Sequence, residues 1–447
     1  MNRLHKSKNI LEVLLVIGLI LIIPLFFALK TKANAPAVSI PNAAVPLIPT
    51  VANAPSDSNA LEPKQPPACT FPLAQTTTAE TTPEEYTFSE PQVVLTDSDN
   101  LYDIVEWLPD NQWVLLTQDL YKDKNKILQQ SIELYNPQTG GTQVFAIRNQ
   151  TDEPPSWQPE LNAVVYPVMN VIGNDEVNHR YKFTRQIWVS QGNPQATQLI
   201  ADNLPQFYVA VKPGGSEITY LSDKQIAKRN GLLKEIPSVP FNLDQWDHSK
   251  IRNGSPVSYK MSWQPGTSLI FLYSSGDLEG GYTFILDSNT GQVCELNLSG
   301  WAGRAHWSPN GRYLAITRYQ GIRPTDSSDL AILDAVTGNL YTMRVTSQDV
   351  EGRHYVSDIA WAPDNRHILV TGSVLPFQGT GQPDSRGLYL VDFISGQSDY
   401  ILPTYRFSAG SGRSNLAWSP DGSKLLVRCP TIEDERVCFI SVQRSGK

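Results

Sequence analysis

The sequence predicts an all-β fold: a seven-bladed β-propeller of four-stranded antiparallel blades. Three observations carry that prediction. A Trp-x-Pro phrase returns along the chain at intervals of about fifty residues. An apolar run starts seven residues after the first position of every copy. Between copies there is no long helical period, only short apolar runs bounded by Gly, Pro, Asn and Asp. Strand-like units repeating at about 40–50 residues are the signature of a propeller, because a lone four-stranded sheet must stack on neighbours to bury its faces.

The copies read Trp107-Leu-Pro109, Trp157-Gln-Pro159, Trp263-Gln-Pro265, Trp307-Ser-Pro309, Trp361-Ala-Pro363 and Trp418-Ser-Pro420. A seventh, Val211-Lys-Pro213, keeps the proline and loses the tryptophan. The apolar runs that follow begin at Val114, Val164, Ile218, Ile270, Leu314, Ile368 and Leu425. In the fifth copy, strand, turn and strand are read from Ala305 through Trp307-Ser-Pro-Asn-Gly311 to Leu314-Ala-Ile-Thr317. Proline presets φ in that turn and Asn-Gly supplies positive-φ positions. A second hairpin follows, Leu330 to Asp334 and Leu340 to Met343 about Val336-Thr-Gly338. Equivalent turns stand at Thr139-Gly-Gly141, Thr290-Gly291 and Ser395-Gly396. The tryptophans are expected at the end of each innermost strand, filling the gap between blades. Strands between Asp223 and Lys260 cannot be placed from sequence.

The last unit is one strand short: after two inner strands and Val437 to Val442, the sequence ends at Lys447. Tyr86-Thr-Phe88 through Val93-Val-Leu95 reads as a spare strand, expected to complete that blade and close the ring. Closure removes two exposed sheet edges. Cys429 and Cys438 fall on adjacent strands of one hairpin, and a disulfide is the reading favoured there, two free thiols being the alternative. Cys69 and Cys294 are left without an assigned partner.

The phrases Trp307-Ser-Pro-Asn-Gly311-Arg-Tyr-Leu and Trp418-Ser-Pro-Asp-Gly422-Ser-Lys-Leu425 resemble the WD40-like repeat of TolB-type propellers. The resemblance covers residues 86–447. It implies the propeller fold and, through family members in envelope complexes, a protein or cell-envelope partner. The first four copies depart from the pattern: Glu160-Leu161 replaces the Asp-Gly turn in the second, and the third lacks Trp.

Ahead of the repeats the chain divides into a cytoplasmic tail, 1–9, a signal-anchor helix, 10–29, and a Pro/Ala/Thr-rich disordered stalk, 30–85. The run from Ile10 to Leu29 carries one charge, Glu12, and about 20 apolar residues span a bilayer. A cleaved signal peptide, which has a shorter core, is the alternative; Pro36 follows the nearest Ala-x-Ala, Ala33 to Ala35. Either reading exports the propeller, on a membrane or secreted. Five of 36 basic and one of 44 acidic residues precede residue 35, leaving 31 and 43, a net of −12. That balance argues against a nucleic-acid partner.

Motifs for chemistry are sparse. There is no Gly-x-Ser-x-Gly elbow, Walker A loop or His-Glu-x-x-His, and the six histidines show no ligand spacing. No catalytic residue, metal or cofactor is assigned. Asp97 to Asp103 reads as a polar turn rather than a calcium loop. Binding candidates lie on the rim opposite the Trp-x-Pro turns: Trp301, Arg304, Arg318, Tyr319, Arg323, Arg353, His354, Phe377, Tyr405, Arg406 and Arg413. Arg304, Arg353 and Arg413 form Gly-Arg pairs ahead of three successive inner strands. Arginine and aromatic side chains suit partner hot spots and anion contacts; the competing reading is solvated loops whose arginines pair with nearby acids. Glu106, His306 and Asp358 are the only chemistry-bearing residues found near inner-strand starts, and alternation points those beside a tryptophan away from it. The reading favoured is a non-enzymatic, membrane-anchored scaffold that binds protein, peptide or envelope polymer. The alternative is a propeller enzyme, lactonase-like or cyclotransferase-like, with a metal or acid–base pair in the central channel.

Overall fold

The computed structural model describes residues 85–445, apart from 98–101, 121–128, 150–153, 176–179, 195, 205–217, 223–224, 231–234, 242–258, 275–282, 297, 299, 320–326, 346–351, 377–384, 406, 408–414 and 430–434. The expected tail, membrane helix and stalk up to residue 84 lie outside the described residues.

Seven antiparallel sheets follow one another along the chain. The first blade spans 102–149, the second 156–204, the fourth 259–295, the fifth 301–343 and the sixth 352–401, each a four-stranded meander. The third shows Ile218–Ser222, Gln225–Arg229 and Glu235–Pro240. These place the strands that sequence could not, while the stretch around Val211 lies outside the described residues. The seventh blade runs Leu416–Trp418, Lys424–Arg428 and Glu435–Ser445.

The ring closes as expected. Glu85–Phe88 pairs with the end of the last strand, Tyr86 opposite Arg444, and Gln92–Asp97 pairs with its start, Val93 opposite Cys438. The fourth strand of the seventh blade is thus the first strand of the domain, broken once between residues 88 and 92. Tyr86 and Phe88 lie edge-on to the Trp418 ring. The Cys429–Cys438 disulfide bridges this blade, with the two Cα atoms 5.9 Å apart.

The spacing of seven is a register. In all six copies with tryptophan, the residue seven positions on lies directly across the inner hairpin: Val114, Val164, Ile270, Leu314, Ile368 and Leu425. Each is at most 1% exposed, so every one is a fixed core position. The turn between them is wired by side chains. Ser308 Oγ donates to Asn310 Oδ1 and accepts from the Tyr313 amide; Ser419, Asp421 and Lys424 repeat the pattern. Asp110, Asn310, Asp364 and Asp421 each accept an amide two residues on, as Asx turns do. Asn111, Asn365, Gly311 and Gly422 take the left-handed conformation the turn requires. Where that residue is Asn it also reaches a neighbouring blade: Asn365 Oδ1 accepts from Asn310 N, and Asn111 Oδ1 from Asp421 N. Arg312 and Arg366, in the same turns, each bond through Nε and an Nη to Asp334 and Asp392 at the foot of the second hairpin. Both turn types therefore share one rim.

The tryptophans seal the gaps between blades, but not only as apolar filler. Trp107, Trp307 and Trp361 donate their indole N–H to Ala417 O, Ser262 O and His306 O, at 3.1, 3.1 and 2.8 Å. In each case the acceptor is the residue just before the tryptophan of the preceding blade. Trp418 departs and bonds Gly422 O in its own turn.

Trp361→Phe keeps a ring in the gap and removes the donor. It is expected to cost about 0.5–1.5 kcal/mol, because the His306 carbonyl loses the indole donor in a part-buried bond, read as a lower urea midpoint. Replacing Cys429 and Cys438 by serine together releases a short loop and is expected to cost about 3 kcal/mol in the chain-entropy model, read in the same titration.

Candidate functional site

Inner strands have one edge paired within the blade and one edge facing the axis. Buried backbone groups on the free edge need partners. Three inner strands carry a break in register just ahead of their charged residues: between Ile104 and Glu106, between Ala302 and Ala305, and between Val356 and Asp358. Such bulges re-aim side chains. In the fifth blade the bulge needs Gly303, since a Cβ there would sit 2.6 Å from Thr317 Oγ1 and 2.7 Å from the Tyr319 ring. Thr317 Oγ1 accepts the Arg304 amide in that space.

The re-aimed carboxylates reach the next blade. Glu106 accepts from Trp157 N at 2.8 Å, and Asp358 accepts from Asn415 N at 2.5 Å and from Ile359 N at 3.1 Å. Arg304 Nε lies 3.6 Å from Asp358 on the other side. Arg304, Asp358 and Asn415 all stand three residues before their tryptophan, so equivalent positions of three successive blades form one polar chain. Arg428 extends it by donating to Asn415 Oδ1 at 3.1 Å. Asp358 and Asn415 are fully buried, whereas Arg304 keeps accessible surface.

His306 stands one residue before Trp307 and faces the opposite way, toward the sixth blade. Its side chain is exposed even though protein surrounds it, as a group lining a ring opening would be. Burial pushes its pKa down; Asp358 pulls it back up and Arg304 pushes it further down. Glu106 is pushed up to about 7 by burial, against the pull of the Trp157 amide. Burial also raises Tyr319, with Arg304 acting against it. Among the described residues no cluster of His, Cys, Asp and Glu suits a metal ion.

The sequence-predicted rim residues are only partly gathered here. Trp301 and Arg304 lie within the inner strand Trp301–Trp307, and Arg353 and His354 within Gly352–Trp361. They belong to strands, not to loops ahead of them, because the pairing continues past the bulges, with Trp301 opposite Tyr319 and Arg353 opposite Leu375. Arg353 is exposed, and His354 is buried with its amide bonded to Ser327 Oγ. Arg318 bonds through Nε and Nη2 to Asp329, at 2.9 and 2.5 Å, and donates to Leu298 O, so this arginine pairs with an acid of its own blade. Tyr405 is half-buried in a turn after the sixth blade. Arg323, Phe377, Arg406 and Arg413 lie outside the described residues, as does part of the polar turn expected over Asp97 to Asp103. Sequence reading missed the polar chain. Aligning the position three before each tryptophan would have found it, since Ile104, Pro154 and Lys260 give way there to Arg304, Asp358 and Asn415.

No protein-family model matches the sequence, and no curated protein matches it. Solved structures similar to the chain include the Myceliophteria thermophila Cps50 (Swd1) β-propeller domain, at 10% identity and TM-score 0.47, covering 81% of this chain and all of that one. A putative TolB from Agrobacterium tumefaciens is similar at 12% identity and TM-score 0.39, over 78% of this chain and 91% of that one. An oligogalacturonate lyase in complex with manganese is similar at 12% and 0.44, over 73% and 81%. The ring itself rests on the strand pairing above.

Glu106→Gln keeps an acceptor for Trp157 N and removes the titration. Because the Glu106 pKa is higher in the folded than in the unfolded chain, its contribution is fully present below the ordinary glutamate value of 4.5 and is lost as pH rises through about 7. The variant is therefore expected to gain melting temperature over the wild type at pH 8 and to lose that advantage at pH 4. His306 acts with the opposite sign: its lowered pKa costs stability as pH falls below 6.5. His306→Gln is expected to flatten that acid limb in the same melts.

Proposed function

We propose that this chain is a non-enzymatic, membrane-anchored extracytoplasmic propeller that docks a protein, peptide or envelope polymer at the rim carrying Arg304 and Arg353. The observation that carries this reading is the use made of the channel acids. Glu106 Oε1 and Asp358 Oδ2 hold backbone amides of the neighbouring blade, and Asp358 Oδ1 accepts from Ile359 N, which is a structural use. What faces outward is cationic and aromatic: Arg304 retains accessible surface beside exposed His306 and half-buried Tyr319, and Arg353 is exposed on the next blade. In a domain of net negative charge, a local arginine pair suits an anionic group on a partner. The apolar run 10–29 supports the anchor, and the Pro-rich stretch after it supports a spacer that sets the ring away from the membrane.

One observation favours the enzyme reading. Glu106 at about 7 and a neutral, exposed His306 are groups able to move protons near neutral pH. They sit in blades one and five and share no hydrogen bond among the described contacts, which favours separate structural roles.

The test combines Arg304→Gln with Arg353→Glu and Arg413→Glu, checked for folding by thermal melts, and measures capture from a cell-envelope extract. At least a tenfold loss of capture is expected; unchanged capture removes the rim from consideration. One tightly held divalent ion per purified chain would turn the argument toward the enzyme.

A further inference from the structure

We propose that Arg304, Tyr319 and His306 form a seat for a single carboxylate, on the side of the fifth blade that faces the sixth. The proposal rests on the docking reading above and names the group the rim takes from a partner: the carboxylate of a peptide, on an acidic side chain or at the chain end.

Alternation sets the three residues on one side. In the inner strand Trp301–Trp307, Trp307 reaches back to Ser262 O of the fourth blade, so His306 faces the sixth. The bulge at Gly303 turns Arg304 to that same side, with Nε 3.6 Å from Asp358 of the sixth blade. On the second strand, Tyr313–Tyr319, Leu314 and Ile316 belong to the core shared with the fourth blade. Ala315 packs instead with Val356, Ile359 and Trp361 of the sixth. Thr317 and Tyr319 keep the parity of Ala315. Thr317 Oγ1 accepts the Arg304 amide, and the Tyr319 ring lies against Gly303, where a Cβ would come within 2.7 Å of it.

The polar ends of these three side chains are unused. Arg312, Arg318 and Arg366 each close their fork on a carboxylate through Nε and Nη2. Arg304 does not. Its side chain is only 19% exposed, yet among the described residues the guanidinium has Asp358 alone, along the Nε edge and beyond hydrogen-bond length. The Asp358 oxygens are already taken by Asn415 N and Ile359 N. The Tyr319 hydroxyl and the exposed His306 ring also meet no hydrogen-bond partner among the described residues; Tyr319 pairs through its backbone, and His306 through its carbonyl. An open guanidinium fork matches a planar carboxylate through two parallel N–H···O bonds. Tyr319 adds a hydroxyl donor. His306 adds one N–H in its neutral form, which burial favours, with Asp358 opposing and Arg304 assisting. Asp358 offsets part of the Arg304 charge, so a monoanion suits the seat better than a phosphate dianion. A carboxylate bound there would also cancel the push of Arg304 on His306 and raise the pKa of that ring.

The experiment follows the His306 ring by NMR in the full chain with labelled histidine, the signal identified by its loss in His306→Gln. The probes are a capped peptide with one glutamate, its glutamine counterpart, a capped alanine peptide with a free C-terminal carboxylate, and inorganic phosphate. Each is added to about 10 mM, past the millimolar range that a few hydrogen bonds reach. At least one carboxylate peptide is expected to shift the His306 signal saturably and raise its titration midpoint; which one does so tells side chain from chain end. The glutamine peptide and phosphate are expected to leave it unmoved. Arg304→Lys keeps the charge beside Asp358 and removes the fork, and affinity should fall at least about tenfold. Tyr319→Phe leaves the Arg304–Asp358 contact in place and should weaken binding about threefold or more. No saturable shift with either carboxylate peptide, an equal shift with glutamine or phosphate, or full affinity in both variants overturns the seat. Envelope capture that persists in Arg304→Lys while neither peptide binds removes the seat and leaves the docking rim standing. Peptides that bind beside an empty capture assay support the seat and count against the rim as a dock for an envelope partner.

Discussion

The free edge of each innermost strand is the constraint on which the rest of the molecule depends. Each inner strand is paired within its blade on one side only, so carbonyls and amides along its other edge are left to the next blade or the axis. The indole N–H of Trp107, Trp307 and Trp361 takes a carbonyl there from the blade before. Glu106 and Asp358 take an amide there from the blade after. Blade-to-blade stacking is therefore not apolar contact alone. A hydrogen bond with its geometry set by a buried ring fixes how far neighbouring sheets slide, which apolar packing by itself does poorly.

This explains why the repeat is strict in one place and loose in others. The tryptophan, the turn and the residue seven positions on are a single hydrogen-bonded object, so an insertion between Trp307 and Leu314 would break both the Ser308–Asn310 wiring and the pairing across the hairpin. Beyond that object the chain is constrained only by burial, and loop lengths drift. The second copy shows the limit of tolerance: Pro159–Leu161 forms a 3-10 turn ending at left-handed Asn162, yet Trp157 still faces Val164.

Most of the fold was legible for the same reason. Strand ends, turns, ring closure and the Cys429–Cys438 link follow from local periodicity and from a missing strand that had to come from somewhere. The third blade resisted because its tryptophan is absent and its hairpin, Gln225–Arg229 with Glu235–Pro240, shares no phrase with the others. The site was harder. Bulges at Val105, Ser357 and Gly303 leave no mark in hydrophobic pattern, yet the last two set Arg304 beside Asp358 of the next blade. The Gly-Arg pairs at Arg304 and Arg353 looked like loop decoration from sequence because a break in alternation hides that the strand pairing goes on beyond it.

The closing strand has a temporal side. Ser441 N donates to Ser89 Oγ across 352 positions of sequence, so the first strand of the domain to leave a ribosome waits for the last. Closing a flexible chain of that length would cost on the order of 5 kcal/mol in entropy, but blades that form one by one and stack carry the two ends toward each other beforehand. Until residue 435 has emerged, the first strand has no mate and the seventh blade does not exist. The ring thus has a natural proofreading point: a chain cut short by a dozen residues loses the strand that both ends require, and presents open edges instead of a closed domain.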